Sequence, residues 1–457
     1  MTSSPTLLRR LGLFSATALV ISNMIGTGIF TSTGFLAGDL GDPTLVLVIW
    51  LVGAVIALAG AFSYSELGVN FPASGGEYVY LTQAYGPTLG FMSGWVSFFA
   101  GFSAPIAAAA LALSDYTGHF FPVLKQENAW FHWSAGEIGL QFGGAQILAI
   151  GMILLFTILN LFGVEFIARI QNALTSIKVL VIVAFIGMGF VIGNGDWSHL
   201  SQVTERTSTV PLSAQFAVSL FWIYVGYSGW NAATYIAEEL HRPERTLPLA
   251  LTIGTTLVAG LYLLFNVMFI YATPLSEMKG VFAVGSLTAK ALFGDKVAGV
   301  FSGLLAISLM SSINAMVTIG PRLYYAMAKN GAFVPVAAKI HPQWRTPVPA
   351  ILCQGVCAAL MTLINFGNLM SYIGYLLSLF AMLAVASLFK FRGRPGWQKL
   401  GVVNFAYPLV PLVFVVPAVV LVFVGLRFQP VISAAAAVTL LSGALVYRFR
   451  LSQRATV

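Results

Sequence analysis

Apolar residues fall into long windows at 12–38, 43–69, 86–114, 145–162, 171–193, 213–239, 247–273, 297–328, 348–364, 368–389, 404–426 and 430–447, and polar residues collect between them. A bilayer-spanning helix needs roughly 20 apolar residues. The pattern therefore predicts an all-α polytopic membrane protein of twelve transmembrane helices, with both termini on one side. The connection at 70–87 stands apart, since it mixes turn residues with aromatics and carries no Lys or Arg. It reads as a short interfacial helix packed on the bundle, or else as a plain loop.

Charge tests the count. Of 23 Lys and Arg, sixteen fall on the side of the termini when connections alternate: Arg9, Arg10, Arg169, Arg242, Arg245, Arg322, Lys329, Lys339, Arg345, Lys390, Arg392, Arg394, Lys399, Arg448, Arg450 and Arg454. Six fall opposite (Lys125, Arg206, Lys279, Lys290, Lys296 and Arg427), and Lys178 lies inside a span. The positive-inside rule then puts both termini in the cytoplasm. With 58% hydrophobic and 8% charged residues, the composition excludes a soluble enzyme, a disordered chain and a repeat scaffold. The net charge of +8 is scattered between spans, which orients the chain and offers no nucleic-acid surface. Arg9 and Arg10 precede an apolar stretch without a cleavage site, so the first span is expected to stay in the protein. Cys353 and Cys357 share one helix face and read as buried core residues.

Two spans carry glycines where a helix would suffer most. Met24-Ile25-Gly26-Thr27-Gly28 lies within the first, and Val225-Gly226-Tyr227-Ser228-Gly229 within the sixth. Each glycine lowers helix propensity by about 1 kcal/mol relative to Ala. Each interrupted span opens a set of five, and five is odd, so the second set enters from the opposite side. Residues 1–193 and 194–390 thus form two inverted repeats, with the last two spans and the tail at 391–457. Paired interrupted helices at matching positions point to a secondary transporter with a midplane site. Amides at the start of the half-helix after the first break suit a carboxylate. Carbonyls on Met24, Ile25, Val225 and Gly226 suit an ammonium, and the two together describe an α-amino acid. The alternative is that the glycines serve only close helix packing.

Ile25-Gly-Thr-Gly-Ile-Phe30, Phe71-Pro-Ala-Ser-Gly-Gly-Glu-Tyr78, Gly229-Trp-Asn-Ala-Ala-Thr-Tyr-Ile-Ala-Glu-Glu239, Arg242-Pro-Glu-Arg-Thr-Leu-Pro248 and Pro321-Arg-Leu-Tyr-Tyr-Ala-Met-Ala-Lys-Asn-Gly331 resemble the amino acid–polyamine–organocation permeases. The likeness is greatest to the L-type amino acid transporters and their bacterial relatives. It implies a LeuT-type five-plus-five inverted repeat with alternating access, discontinuous first and sixth helices, and a bacterial inner membrane location. It also implies that Thr27 and Gly28 bind the substrate carboxylate, that carbonyls of Met24, Val225 and Gly226 bind its amine, and that Tyr227 and Ser228 line the pocket. Relatives often place a gating aromatic where Val225 stands. Val225 is too small for that, leaving Trp222 or Tyr227 as the gate.

Lys178 is a charge within the fifth span, which is a functional-site hypothesis by default, although a long stem also lets lysine snorkel to the headgroups. The resemblance implies that its ammonium occupies the place of sodium in sodium-coupled relatives, bonding carbonyls of the first break and coupling occupancy to gating. None of the fifteen Asp and Glu is expected near either break, which favours neutral L-amino acids. The alternatives are a cationic amino acid or polyamine antiporter and a non-transporting sensor. Glu238 and Glu239 with Arg242 or Arg245 read as an intracellular gate or as solvated pairs. Asp115 with His119 reads as a solvated pair, and Trp95, Phe98, Phe99 and Phe102 as packing residues. No metal or cofactor is called for, since no histidine shares helical spacing with a carboxylate. Residues 115–144 hold no cysteine for a covalent heavy chain, so a monomer in membrane lipid is expected.

Overall fold

Helices follow the apolar windows, running through prolines such as Pro248 and Pro321, and the first and sixth windows are interrupted beside glycines. The computed structural model describes residues 9–135, 138–364, 366–428 and 430–451, and Arg454 of the charge count lies outside them. The first window holds α1 (Leu13–Met24) and α2 (Thr27–Leu40), followed by α3 (Pro43–Asn70). Asp42 caps α3: its carboxylate accepts the N–H of Thr44 at 2.7 Å, and Pro43 occupies the first turn, where its missing donor costs nothing. The connection at 70–87 does form a short helix, α4 (Glu77–Tyr85). The third window is α5 (Pro87–Val96) and α6 (Ala104–Thr117), joined through a wider π-helical turn at Ser97–Ser103.

An antiparallel hairpin, β1 (Phe131–Ala135) and β2 (Ile138–Phe142), pairs Phe131 with Phe142 and departs from the all-α expectation. The chain continues through α7 (Gly144–Leu159), α8 (Val164–Ile192) and α9 (Leu212–Tyr227). Past the second break it resumes as a 3-10 helix, Ala232–Glu239, and not as an α-helix. Next come α10 (Pro243–Ala272), α11 (Leu275–Met278), α12 (Val284–Phe293) and α13 (Asp295–Lys329). The remainder is α14 (Val348–Met361), α15 (Phe366–Phe391), α16 (Gly401–Asn404), α17 (Leu409–Phe428) and α18 (Pro430–Val446).

Among the described residues, 10 helices are long and apolar enough to cross a bilayer. The sixth and ninth expected spans are the shorter α9 and α14, of 16 and 14 residues. The chain is a multi-pass membrane protein. Its outer face is apolar, with Leu180, Val191, Phe423 and Val438 each more than 60% exposed, as a lipid-facing surface requires.

The connections sort to two ends. At one, Arg10 N–H donates to the Glu239 carbonyl at 3.0 Å and the Lys390 ammonium to the Ala84 carbonyl at 2.6 Å. At the other, Thr204 N–H donates to the Gly41 carbonyl at 2.8 Å and Gln141 N–H to the Leu363 carbonyl at 2.9 Å. Inside, α3 packs along α10, α6 along α13, and α1 against both α8 and α10.

Candidate functional site at the two helix breaks

The first break lies at Ile25–Gly26, where Gly26 is extended (φ −115°, ψ −150°) and α2 begins without a side-chain cap. A helix start leaves its first N–H groups without intrahelical partners. Its carbonyls, by contrast, are occupied. The Tyr262 hydroxyl donates to the Met24 carbonyl at 2.6 Å. The Ile25 carbonyl accepts the Lys178 ammonium and the Ser312 hydroxyl, both at 2.7 Å.

Lys178 is fully buried, so it does not snorkel. Its three N–H groups match three acceptors: the carbonyls of Ile25 at 2.7 Å and Ser22 at 3.2 Å, and the Ser312 hydroxyl at 2.8 Å. Beside it runs a polar network. Ser22 meets Thr175 and Ser311, both at 2.6 Å, Gln171 bonds Ser311 at 3.1 Å, and Asn314 donates to Gln171 at 2.6 Å.

The second break lies at Ser228–Gly229, three residues beyond Val225. Tyr227 ends α9, Ser228 is extended (ψ 149°) and Gly229 is left-handed (φ +98°). The Val225 carbonyl is taken by the Ser228 hydroxyl at 2.8 Å and its N–H at 3.1 Å. Those of Gly226 and Tyr227, in the orphaned last turn, accept no hydrogen bond among the described residues. The two breaks touch. A Cβ on Gly28 would lie 2.4 Å from the Gly226 Cα, and one on Gly229 2.5 Å from the Asn23 amide nitrogen. These glycines therefore do serve close packing. Gly26 would meet nothing within 4 Å.

Cavities flank this contact. One of about 50 Å³ is lined by Val225, Trp222, Phe221, Met370 and Tyr375, and the Thr27 hydroxyl points to the Met370 sulfur at 3.8 Å. Trp222 also stacks on Phe35 at 4.5 Å, and Phe35 lines a vestibule of about 590 Å³ with Asp115, Lys125 and His132. Of the two gate candidates, Trp222 lines the cavity beside Val225. Tyr227 instead turns to Trp50, whose carbonyl accepts its hydroxyl at 3.0 Å.

The other cavity, of about 70 Å³, lies past the second break and corrects two expectations. Phe102 is one of its walls and no mere packing residue. Glu77 is another, so an acidic group does stand beside a break. Its Oε1 accepts the Tyr64 hydroxyl at 2.8 Å and the Asn231 side-chain amide at 3.0 Å. Burial pushes its carboxyl up to about 7, against the pull of those two bonds. Sequence spacing hid this contact, because 154 residues separate Glu77 from Asn231. Tyr262 and Ser312 were also missed, although the polar run Ser311-Ser312 within an apolar span was a legible signal.

The expected acidic pairs differ too. Glu239 pairs with Arg322 at 2.8 Å, fully buried, and not with Arg242 or Arg245. Glu238 accepts the Ser74 N–H at 3.4 Å. Glu66 is held by Arg392 at 2.6 Å and by the Trp397 indole at 2.8 Å. Asp115 accepts the Gln126 N–H at 2.9 Å and does not pair with His119. Cys353 is exposed, so it is no core residue.

The sequence pattern of the family described as amino acid permease matches residues 11–445. The chain is 30% identical over 453 residues to the human large neutral amino acids transporter small subunit 2, covering 96% of this chain and 80% of that one. It is 29% identical over 452 residues to the Asc-type amino acid transporter 1 of Mus musculus, with the same coverage. To the serine/threonine exchanger SteT of Bacillus subtilis it is 29% identical over 408 residues, 88% of each chain. Interrupted helices touching inside an apolar bundle, together with a family match along almost its whole length, place the chain among the amino acid permeases of the amino acid–polyamine–organocation superfamily, of the L-type amino acid transporter kind, and not among enzymes.

Proposed function

We propose that the chain is a sodium-independent secondary transporter of neutral L-amino acids, working by alternating access as an exchanger or with proton-linked uptake. The contact of the two breaks at Gly28 and Gly226 carries this reading. Uncapped amides of Thr27 and Gly28 suit the carboxylate. The unbonded carbonyls of Gly226 and Tyr227 suit the ammonium, with Ser228 beside them. The carbonyls of Met24, Ile25 and Val225 already have partners, so opening the site must release them or leave them out. The packing of α3 on α10 and of α6 on α13, second on seventh and third on eighth span, supports reading residues 1–193 and 194–390 as an inverted five-plus-five repeat.

Sodium independence rests on Lys178, whose ammonium holds Ser22, Ile25 and Ser312 as a bound cation would. Neutral substrates rest on the named specificities of the human and Bacillus subtilis relatives. One observation favours a cationic substrate instead, namely Glu77 beside the second break. The human relative is by name a small subunit, but the external segment 115–144 of this chain has no cysteine to bind a heavy chain covalently. We place both termini in the cytoplasm and the protein in a plasma membrane, working as a monomer.

Purified protein in liposomes tests this. Unlabelled internal serine or leucine should accelerate uptake of the labelled amino acid, unchanged when choline replaces sodium. Loss of uptake in choline would overturn sodium independence. Preference for arginine or ornithine would select the cationic reading, and binding without trans-stimulation would leave a sensor.

A further inference from the structure

Among the described residues, Glu77 has no charged partner. Its Oε1 takes two neutral donors, the Tyr64 hydroxyl and the Asn231 amide. Among the described residues Oε2 accepts no hydrogen bond, and no Lys, Arg or His pairs with the carboxylate. The other ionisable groups against it are Tyr80, on its own helix, and Tyr235 past the break. The acidic residues that follow, Glu238 and Glu239, are engaged by the Ser74 N–H and Arg322. A buried carboxylate left without a counter-charge is costly, so such groups are normally paired or protonated.

The cavity that Glu77 lines carries further unmet polar atoms. The Asn23 side-chain carbonyl and the Tyr224 hydroxyl, both on lining residues, are buried without a hydrogen-bond partner. The remaining wall includes Trp230 and Tyr235. A proton would satisfy one of these atoms only. A primary ammonium brings three N–H donors, and aromatic faces attract its charge. A bare metal ion would want a full shell of oxygens, which these rings do not supply.

We propose that Glu77, with Asn23 and Tyr224, forms a second site that binds primary ammonium groups. The substrate's α-ammonium passes through it between the carbonyls at the second break and the cytoplasm. That passage rests on the transport reading above; the affinity for ammonium does not. The site reaches the second break, because Ser228 and Gly229, the residues that follow the Tyr227 carbonyl, line the same cavity as Glu77. An ammonium leaving those carbonyls would meet an anion before it meets water.

Two measurements decide it. In thermal unfolding of the full-length protein, n-butylammonium chloride should stabilise the wild type, whereas tetramethylammonium, which has no N–H, should not. Glu77→Gln should abolish the shift and Glu77→Asp retain part of it. In liposomes of fixed orientation, Glu77→Gln should raise the half-saturating internal amino acid for trans-stimulation by about tenfold, the loss expected for a charge-assisted hydrogen bond. The external half-saturation should change less than about twofold by the same reasoning. Equal change on both faces, or a lower maximal rate with internal half-saturation unchanged, would reduce Glu77 to a support for Tyr64 and Asn231. Equal stabilisation by sodium or tetramethylammonium would also overturn the proposal. If Glu77→Gln does not fold, the wild-type comparison of the two ammonium salts and the Asp variant still decide. A wild type that exchanges no amino acid would sink the transport reading and leave the butylammonium result standing.

Discussion

The Lys178 ammonium donates to the Ile25 carbonyl at 2.7 Å, so a side chain of α8 closes the polar gap left where α1 stops. Ser22 and Ser312 complete its shell. Lys178→Ala leaves those acceptors facing a void, and an unmet buried acceptor costs about 1–3 kcal/mol. The cost falls on the break and not on the apolar exterior that holds the protein in lipid. We expect Lys178→Ala to reach the membrane at normal abundance with exchange reduced at least about tenfold. Wild-type exchange rates in liposomes would remove Lys178 from the mechanism.

Glycine substitutions should separate packing from backbone freedom. Gly28→Ala forces a methyl to within 2.4 Å of the Gly226 Cα, and backbone cannot yield cheaply. Gly26→Ala meets nothing within 4 Å, and its φ is negative. We expect Gly28→Ala to abolish exchange and lower the unfolding temperature, and Gly26→Ala to change neither greatly. Equal loss in both would show that the contact between the breaks is not what matters.

Thr27→Pro is sharper than the sequence suggests. Within an unbroken helix proline would destroy the span, but Thr27 is the first residue of α2, where proline is well tolerated. The substitution removes one N–H and one hydroxyl and leaves the fold. It should preserve the unfolding temperature while weakening binding of amino acids far more than of alkylamines. Equal losses for both would argue against carboxylate binding by the Thr27 amide.

What the sequence showed was periodic or local. Apolar windows located the helices, and Gly26–Gly28 and Gly226–Gly229 the two interruptions. The short helix at Glu77–Tyr85 followed from turn residues around aromatics. What escaped was contact between distant residues. No local signal ties Glu239 to Arg322 rather than to Arg242, or Glu77 to Asn231, because helix packing makes those pairs. Breaks could be located to a few residues only: the second lies at Gly229, since the last turn of α9 survives Gly226.

The Glu239–Arg322 pair should behave as a buried ion pair. Both side chains are at most 1% exposed and 2.8 Å apart. Removing one partner of such a pair costs about 3–5 kcal/mol, whereas replacing both with apolar residues is often neutral. Arg322→Met alone should lower the unfolding temperature markedly, and adding Glu239→Leu should restore much of it. Additive losses would mean that each residue acts through other contacts, for Arg322 its bond to the Thr318 carbonyl at 2.6 Å.

The Glu77 carboxyl, raised by burial to about 7, sets a pH dependence opposite to that of an ion-paired acid, whose pKa is lowered on folding. Below 7 the buried group holds its proton while an unfolded glutamate, near 4.5, has lost it. The stabilising state is thus the protonated one, and the contribution is lost as pH rises from 4.5 through 7. Ammonium binding runs the other way, since the ligand needs the ionised carboxylate. Below 7 it must displace a proton, and its affinity should fall by up to about tenfold per pH unit. Stabilisation by n-butylammonium should therefore grow between pH 5 and 8 and level off above, while the ligand-free protein loses stability over part of the same range. In Glu77→Gln the ligand slope should vanish and the ligand-free slope should lose the share that Glu77 contributes. If only the ligand-free slope changed, the ammonium would be held elsewhere, and Glu77 would titrate without touching it.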